Sequence, residues 1–367
     1  MPYDEVADEI GRLWGVTISK SGVRDVTMRN SRVCEEVDQQ ESQYHLTHQP
    51  EVEASAEQMT VSVDGSFIHL CSGEWREVKL LTIGINEKGW NHKKQRQNIQ
   101  TTQVSYHARM ESADKFAVNT IGEWQRRGCE KAKTIVAVND GATWIQTFID
   151  YHAPKAVRIL DFAHACGYLT PIAHVLYGQE GEQTKKWLGH ARHQLMHHPP
   201  AKTLNALALL QRQHHNSDKE APIATALAYL QRRREQIDYP HFRRCGYPIG
   251  SGTVESGHKV VIQRRMKQAG MRWHPDSVNP MLALRSTICN HRWDEKWDAI
   301  VKRRRAKKWE RRLENYRPAP KPSPPPLKFS SIHVEESIEK SPQPSKDYKP
   351  APDHPWRRDI WPERRFA

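Results

Sequence analysis

The run Ile135-Val136-Ala137-Val138 is apolar at every position and ends on Asn139-Asp140. A strand with one face in water alternates, so an unbroken apolar run reads as a strand covered on both faces, as in the centre of a parallel sheet. Such a strand needs partners on its edges and helices over its faces. Both are legible around it. Upstream, Thr60–Leu70 alternates, with Val61 and Val63 on one face. Ser72-Gly73 marks a turn, Glu74–Ile85 carries Val78, Leu81, Ile83 and Ile85, and Asn98–His107 reads as a third strand. Short turns between them predict an antiparallel meander. Ser112 caps a helix predicted over Ser112–Arg127, with Phe116, Ile121 and Trp124 inward and Gly128 at its end. Downstream, Trp144, Ile145 and Phe148 mark a short helix, and Ala156–Asp161 reads as another buried strand.

The order β-β-β-α-β-α-β is the one a ribonuclease-H-like mixed sheet requires, three antiparallel strands and then two parallel ones. Residues 59–163 would form the first part of this α/β core. Residues 164–245 carry no strand signal, and Leu204, Leu207, Leu210, Leu227 and Leu230 fall at helical spacing, which predicts an all-helical insertion. Residues 246–315 follow with a helix over Thr253–Ala269 and two more helices. At the other end, Val6, Ile10 and Leu13 precede Gly15, a capping Ser19, and Val23 and Val26. This reads as a helix-turn-helix within residues 1–29, or equally as a plain helical hairpin. Residues 30–58 are polar and acidic and read as a linker with some helix. Residues 316–367 are rich in Pro, Ser and Lys and are expected to be a disordered tail.

A formal net charge of +13 and a pI near 9.4 point to a polyanionic partner, most often nucleic acid. The six cysteines are scattered with no CxxC pair, which argues against a zinc ribbon and a secreted disulfide framework. The acidic start is not that of a signal peptide, and no apolar run approaches a membrane span. A cytoplasmic, reduced protein with no membrane partner is expected. No Gly-rich phosphate loop, HExxH or GxSxG pattern is present, so neither a nucleotide-driven motor nor a zinc protease nor a serine hydrolase is implied.

Three carboxylates stand out by position. Asp64 lies inside the first strand, where an ionised group is costly unless something positive meets it. Asp140 ends the fourth. In this topology the two strands are parallel neighbours, so the aspartates converge at one sheet edge. Glu255 follows Gly250-Ser251-Gly252 on the first turn of a helix, and those glycines are expected to let that helix approach the sheet. The blander reading makes Asp64 a bulge residue and Asp140 a helix cap. Converging carboxylates suit Mg²⁺ or Mn²⁺, hard ions with oxygen ligands, and two such ions promote phosphodiester displacement.

The segments Val61–Gly65, Asn139–Ile145, Leu160–His164, Gly250–Ser256 and Arg264–Trp273 resemble transposases of the ISKra insertion-sequence family, and the resemblance spans roughly residues 60–293. It implies a DDE transposase whose triad is Asp64, Asp140 and Glu255, with a helical insertion between the second Asp and the Glu. It also implies DNA strand cleavage and transfer at element ends, two Mg²⁺ or Mn²⁺ ions, and assembly on DNA as a homodimer or higher. Members of that family are expected to be longer at the N-terminus. Asp161 and His164 match the family's Asp-x-x-His and read either as a pair close to the metals or DNA, or as a helix cap and its neighbour. Lys259, Arg264, Arg265, Lys267 and Arg272 are the expected phosphate contacts, and Trp273 is either a base-stacking platform or a core residue. Two other functions share these features: a non-transposing ribonuclease-H-like DNA nuclease, and a DNA-binding remnant without catalysis.

Overall fold

The structure, a computed structural model, describes residues 2–48, 56–91, 96–179 and 181–316. Its strands are β1 (Gln58–His69), β2 (Trp75–Asn91), β3 (Arg96–Arg109), β4 (Thr134–Asn139) and β5 (Val157–Leu160). They form one mixed sheet in the order β3-β2-β1-β4-β5, with the first three antiparallel and β1-β4-β5 parallel. This is the α/β, ribonuclease-H-like sheet that the strand order predicts. Two helices, α1 (Tyr3–Trp14) and a much longer α2 (Lys20–His45), precede it.

The pleat assigns each strand residue to a face. Val61, Val63, Leu81, Ile83 and Ala137 turn to the side covered by Phe116, Trp124, Ile145 and Phe148. These come from α3 (Ala113–Asn119), α4 (Ile121–Arg126) and α5 (Thr143–His152). The single helix expected over Ser112–Arg127 is thus two, broken at Thr120. Its hydroxyl bonds the Ala117 carbonyl (2.8 Å) and lies 3.0 Å from His152 Nε2, a local competitor to the helical ladder.

The opposite face is covered in two parts. Val136, Val138, Ile159 and Leu160 pack on Leu195, Leu204, Leu207, Ile223 and Leu230. The latter belong to the predicted insertion, which is helical throughout its named elements: α6 (Phe162–Gly167), α7 (Thr170–Tyr177), α8 (Glu182–His197), α9 (Pro200–Gln213), α10 (Glu220–Arg232) and α11 (Tyr239–Arg244). Ile68, Val78 and Leu80 pack on Val254, Val261, Ile262 and Met266. That chain segment runs as α12 (Gly252–Gly257), a π-helical stretch His258–Gln263 and α13 (Arg264–Met266), followed by α14 (Pro275–Cys289) and α15 (Trp293–Tyr316).

The N-terminal expectation needs correcting. Ser19 does cap the second helix, accepting from the Gly22 N–H at 3.1 Å. That helix, however, does not stop near Met28. It continues through residues read as linker to His45. Val33, Cys34 and Val37 pack with Ala283 and Ile300, which builds the later part of the helix into the core, whereas in residues 20–28 only Val23 is buried. Its acidic residues are the partners of buried cations. Asp38 meets Arg109 at 2.6 Å and Lys296 at 2.8 Å, and Lys296 also meets Glu41 at 2.9 Å. The tail expected at 316–367 lies, beyond Tyr316, outside the described residues. Among those described, no helix is long and apolar enough to cross a membrane.

Two stability measurements follow. Asp38→Ala strands Arg109 and leaves Lys296 with Glu41 as its carboxylate partner, and loss of one member of a buried ion-pair network costs about 3–5 kcal/mol. Urea unfolding will report it as a lower midpoint at unchanged slope. Burial also pushes the His152 imidazole down to about 4, against the pull of its bond to the Ala117 carbonyl. The unfolded chain takes up that proton below about pH 6.5 while the folded chain does not. Stability is therefore complete above that pH and falls as pH drops toward 4. Thermal melts across this window will slope downward, and His152→Gln, which keeps an N–H for Ala117, will make the slope shallower.

Candidate functional site

The β1–β4 ladder pairs Gln58 with Thr134 through Val61 with Ala137, a constant offset of 76 residues. Asp64 and Asp140 are separated by that same offset. Beyond the last ladder pair the register is carried by a side chain: Asn139 Oδ1 accepts the Val63 N–H at 2.6 Å. One residue further on come the two aspartates, near enough that the charge of Asp64 acts on Asp140. The β4–β5 ladder pairs Asn139 with Leu160, so Asp161 continues the row.

The three aspartates differ in what they touch. Asp64 Oδ1 accepts its neighbour Gly65's N–H at 2.7 Å, and Oδ2 lies 3.1 Å from Nε2 of the buried His258. Asp140 Oδ1 accepts the Ala142 N–H at 2.9 Å, a bond within the turn before α5; the N-cap of that helix is Ala142, with no side-chain cap bond, so Asp140 is not its cap. Burial and then the charge of Asp64 push the Asp140 carboxyl above its ordinary value, while the Ala142 N–H and His164 pull it back. Asp161 is fully engaged. Its Oδ1 caps α6 at the His164 N–H (2.6 Å), and its Oδ2 accepts both the N–H (2.7 Å) and hydroxyl (3.0 Å) of Ser251. It thus ties the Gly-Ser-Gly loop to the sheet edge, which is the capping reading extended to a second element. His164 lies among the aspartates; burial lowers its pKa, opposed by Asp140, Asp161 and Asp64.

Glu255 is placed beside this row but not in it. Two residues before it, Thr253 Oγ1 is 3.5 Å from Ser62 Oγ. One helical turn after it, His258 reaches Asp64. The Glu255 side chain itself is exposed, and among the described residues no group of three His, Cys, Asp or Glu is arranged to hold a metal ion. The structure brings Asp64 and Asp140 together and leaves Glu255 outside. The glycines before it are not what lets α12 approach: a Cβ at Gly252 would meet nothing within 4 Å. The close contact is at Gly257, where a Cβ would lie 2.9 Å from Leu80 and 3.1 Å from both Thr82 and Tyr106.

The basic residues divide. Lys259, Arg264, Lys267 and Arg272 are exposed by surface area. Arg265 lies over the Tyr3 ring at 4.3 Å, and Lys267 bonds Ser66 Oγ at 3.1 Å, two residues beyond Asp64. Desolvation lowers the Lys267 pKa. Trp273 is buried in the core and donates its indole N–H to the Met266 carbonyl at 3.2 Å, so it offers no stacking face and is a core residue. Other residues at the site carry weaker signals in the sequence. His258 could have been found from its Glu-x-x-His spacing to Glu255 on one helical face. Glu77, whose charge adds to the rise of Asp140, pairs with the buried Lys79 at 2.6 Å. Tyr229 and Arg233 approach from the insertion, and no local pattern marks them.

The chain matches the uncharacterised protein family UPF0236 over residues 2–296, and that match carries no activity with it. No curated protein matches the chain. The geometry yields its own test: Gly257→Ala forces α12 off Leu80 and Thr82, and overpacking of this kind costs about 1–3 kcal/mol. Calorimetry should show the lower melting temperature, and NMR should show the His258 ring shifting as its contact with Asp64 lengthens.

Proposed function

The chain belongs to the UPF0236 family, and we propose that it is a DDE-type transposase, cutting DNA at the ends of an insertion sequence and joining them to a target. The observation that carries this reading is the placement of Asp64 and Asp140 on the adjacent parallel strands β1 and β4 of a ribonuclease-H-like sheet, or just past them, close enough that the charge of Asp64 raises Asp140. Two neighbouring carboxylates, one raising the cost of ionising the other, fit a divalent cation, and their oxygens suit Mg²⁺ or Mn²⁺. Asp64 and Asp140 would hold the metal, with Glu255 as the further ligand once its exposed turn closes toward them. When bound, such ions polarise the phosphodiester and activate a water or 3′-hydroxyl.

The chain's own groups then have separate tasks. His258 fixes the direction of the Asp64 carboxylate. Asp161 anchors the loop that precedes Glu255. Lys259, Arg264 and Arg272 face solvent on the segment after Glu255 and supply phosphate contacts, with Lys267 closer to the aspartates. The protein would work in the cytoplasm, as a homodimer or higher on DNA. The exposure of Glu255 favours a second reading, a DNA-binding protein of the same fold without catalysis.

A pre-cut element end, a target plasmid and Mg²⁺ separate these functions. Joined products support the transposase. Cutting without joining points to a nuclease, and DNA binding with neither points to the inactive remnant. Asp140→Asn should abolish cutting and joining together, because both displacements use one site, while DNA affinity stays within about twofold. Neutralising Lys259, Arg264 and Arg272 should do the reverse. It should weaken binding and flatten its salt dependence by roughly 0.9 log units for each phosphate that is no longer neutralised.

A further inference from the structure

We infer that the helical insertion positions the second aspartate: Tyr229 and Arg233, at the end of α10, clamp the Asp140-Gly141 turn and set the direction of the Asp140 carboxylate. The inference rests on the reading of Asp140 as a metal ligand.

β4 ends at Asn139, whose carbonyl accepts the Asp161 N–H at 2.7 Å. Asp140 and Gly141 lie past that bond, so their carbonyls are not held by the sheet. The insertion holds them instead. The Tyr229 hydroxyl donates to the Asp140 carbonyl at 2.7 Å and lies 3.2 Å from His164 Nε2. Arg233 Nη2 donates to the next carbonyl, that of Gly141. Two consecutive carbonyls gripped from one helix leave the turn little freedom to rotate, and the carboxylate rotates with it.

The grip is itself held rigid. The Arg233 guanidinium lies over the Tyr229 ring at 4.0 Å, and that ring stacks on Tyr168 at 3.8 Å. Gly141 adopts φ +81°, and a Cβ there would meet Arg233 Nε at 2.6 Å and the Tyr229 oxygen at 2.8 Å. An ordinary tie between insertion and sheet exists for comparison: the Tyr239 hydroxyl donates to the Leu160 carbonyl at 3.0 Å, at the end of the neighbouring strand.

The test measures Mn²⁺ affinity of the full chain by electron paramagnetic resonance of the free ion, beside DNA cutting and melting temperature. Tyr229→Phe keeps the ring stack and loses only the hydroxyl. Loss of a group that orients a metal ligand weakens metal binding about 10- to 100-fold. The variant should show that weakening, should recover cutting as Mn²⁺ is raised, and should melt close to wild type. Arg233→Lys, which keeps the charge but not the planar stack, should weaken Mn²⁺ in the same direction. Tyr239→Phe should lower the melting temperature and leave Mn²⁺ affinity unchanged. Wild-type Mn²⁺ affinity in Tyr229→Phe, or equal weakening in Tyr229→Phe and Tyr239→Phe, overturns the clamp while the metal reading stands. If the wild type shows no Mn²⁺ binding that Asp140→Asn removes, the metal reading falls and the clamp falls with it.

Discussion

Where β1 and β4 run side by side, each residue of one stands next to the residue 76 positions later in the other. The site depends on that register. A slip of one residue would turn every side chain of β1 to the opposite face. Val61 and Val63 would leave Phe116 and Trp124, and Asp64 would leave His258 for the apolar side of the sheet. An ionised carboxylate there would cost several kcal/mol. The same apolar contacts that fold the sheet therefore also keep the two aspartates close.

The molecule buries acid in two places and treats it in opposite ways. On α2, Asp38 is inserted between Arg109 and Lys296. Although burial works against it, those cations hold its carboxyl below the ordinary range. At the sheet edge, burial and Asp64 hold Asp140 above that range. The first arrangement is neutralised and stiffens the attachment of α2. The second keeps like charges together with imidazoles and backbone N–H groups beside them, a condition that favours an incoming cation. The contrast within one chain argues that the second arrangement is not a failure of packing.

Much of the sheet was legible because strand signals are local. The unbroken apolar run at Ile135–Val138 and the alternation around Val61 and Val63 depend only on which faces are covered. The aspartates were legible because they sit at fixed places on those strands. What was missed involves partners far along the chain. The acidic residues of α2 read as linker because Arg109 and Lys296, which neutralise them, are 71 and more residues away. Gly257 was passed over for Gly250 and Gly252 because only packing against Leu80 shows which glycine is crowded. Tyr229 and Arg233 carry no motif; their meaning comes from the turn they hold.

The π-helical stretch His258–Gln263 has a consequence for how the segment after Glu255 faces the sheet. Val254 and Met266 both pack into the same apolar cluster, twelve residues apart. In an unbroken α-helix twelve residues make about three and a third turns, which would leave the two a third of a revolution out of phase. A π turn takes up roughly one residue more than an α turn. That surplus residue brings both ends back into angular alignment, so the helix works as a gear with one extra tooth. It meshes Val254 with the sheet at one end and Met266 with it at the other, and Lys267, next after Met266, arrives at Ser66 as a result.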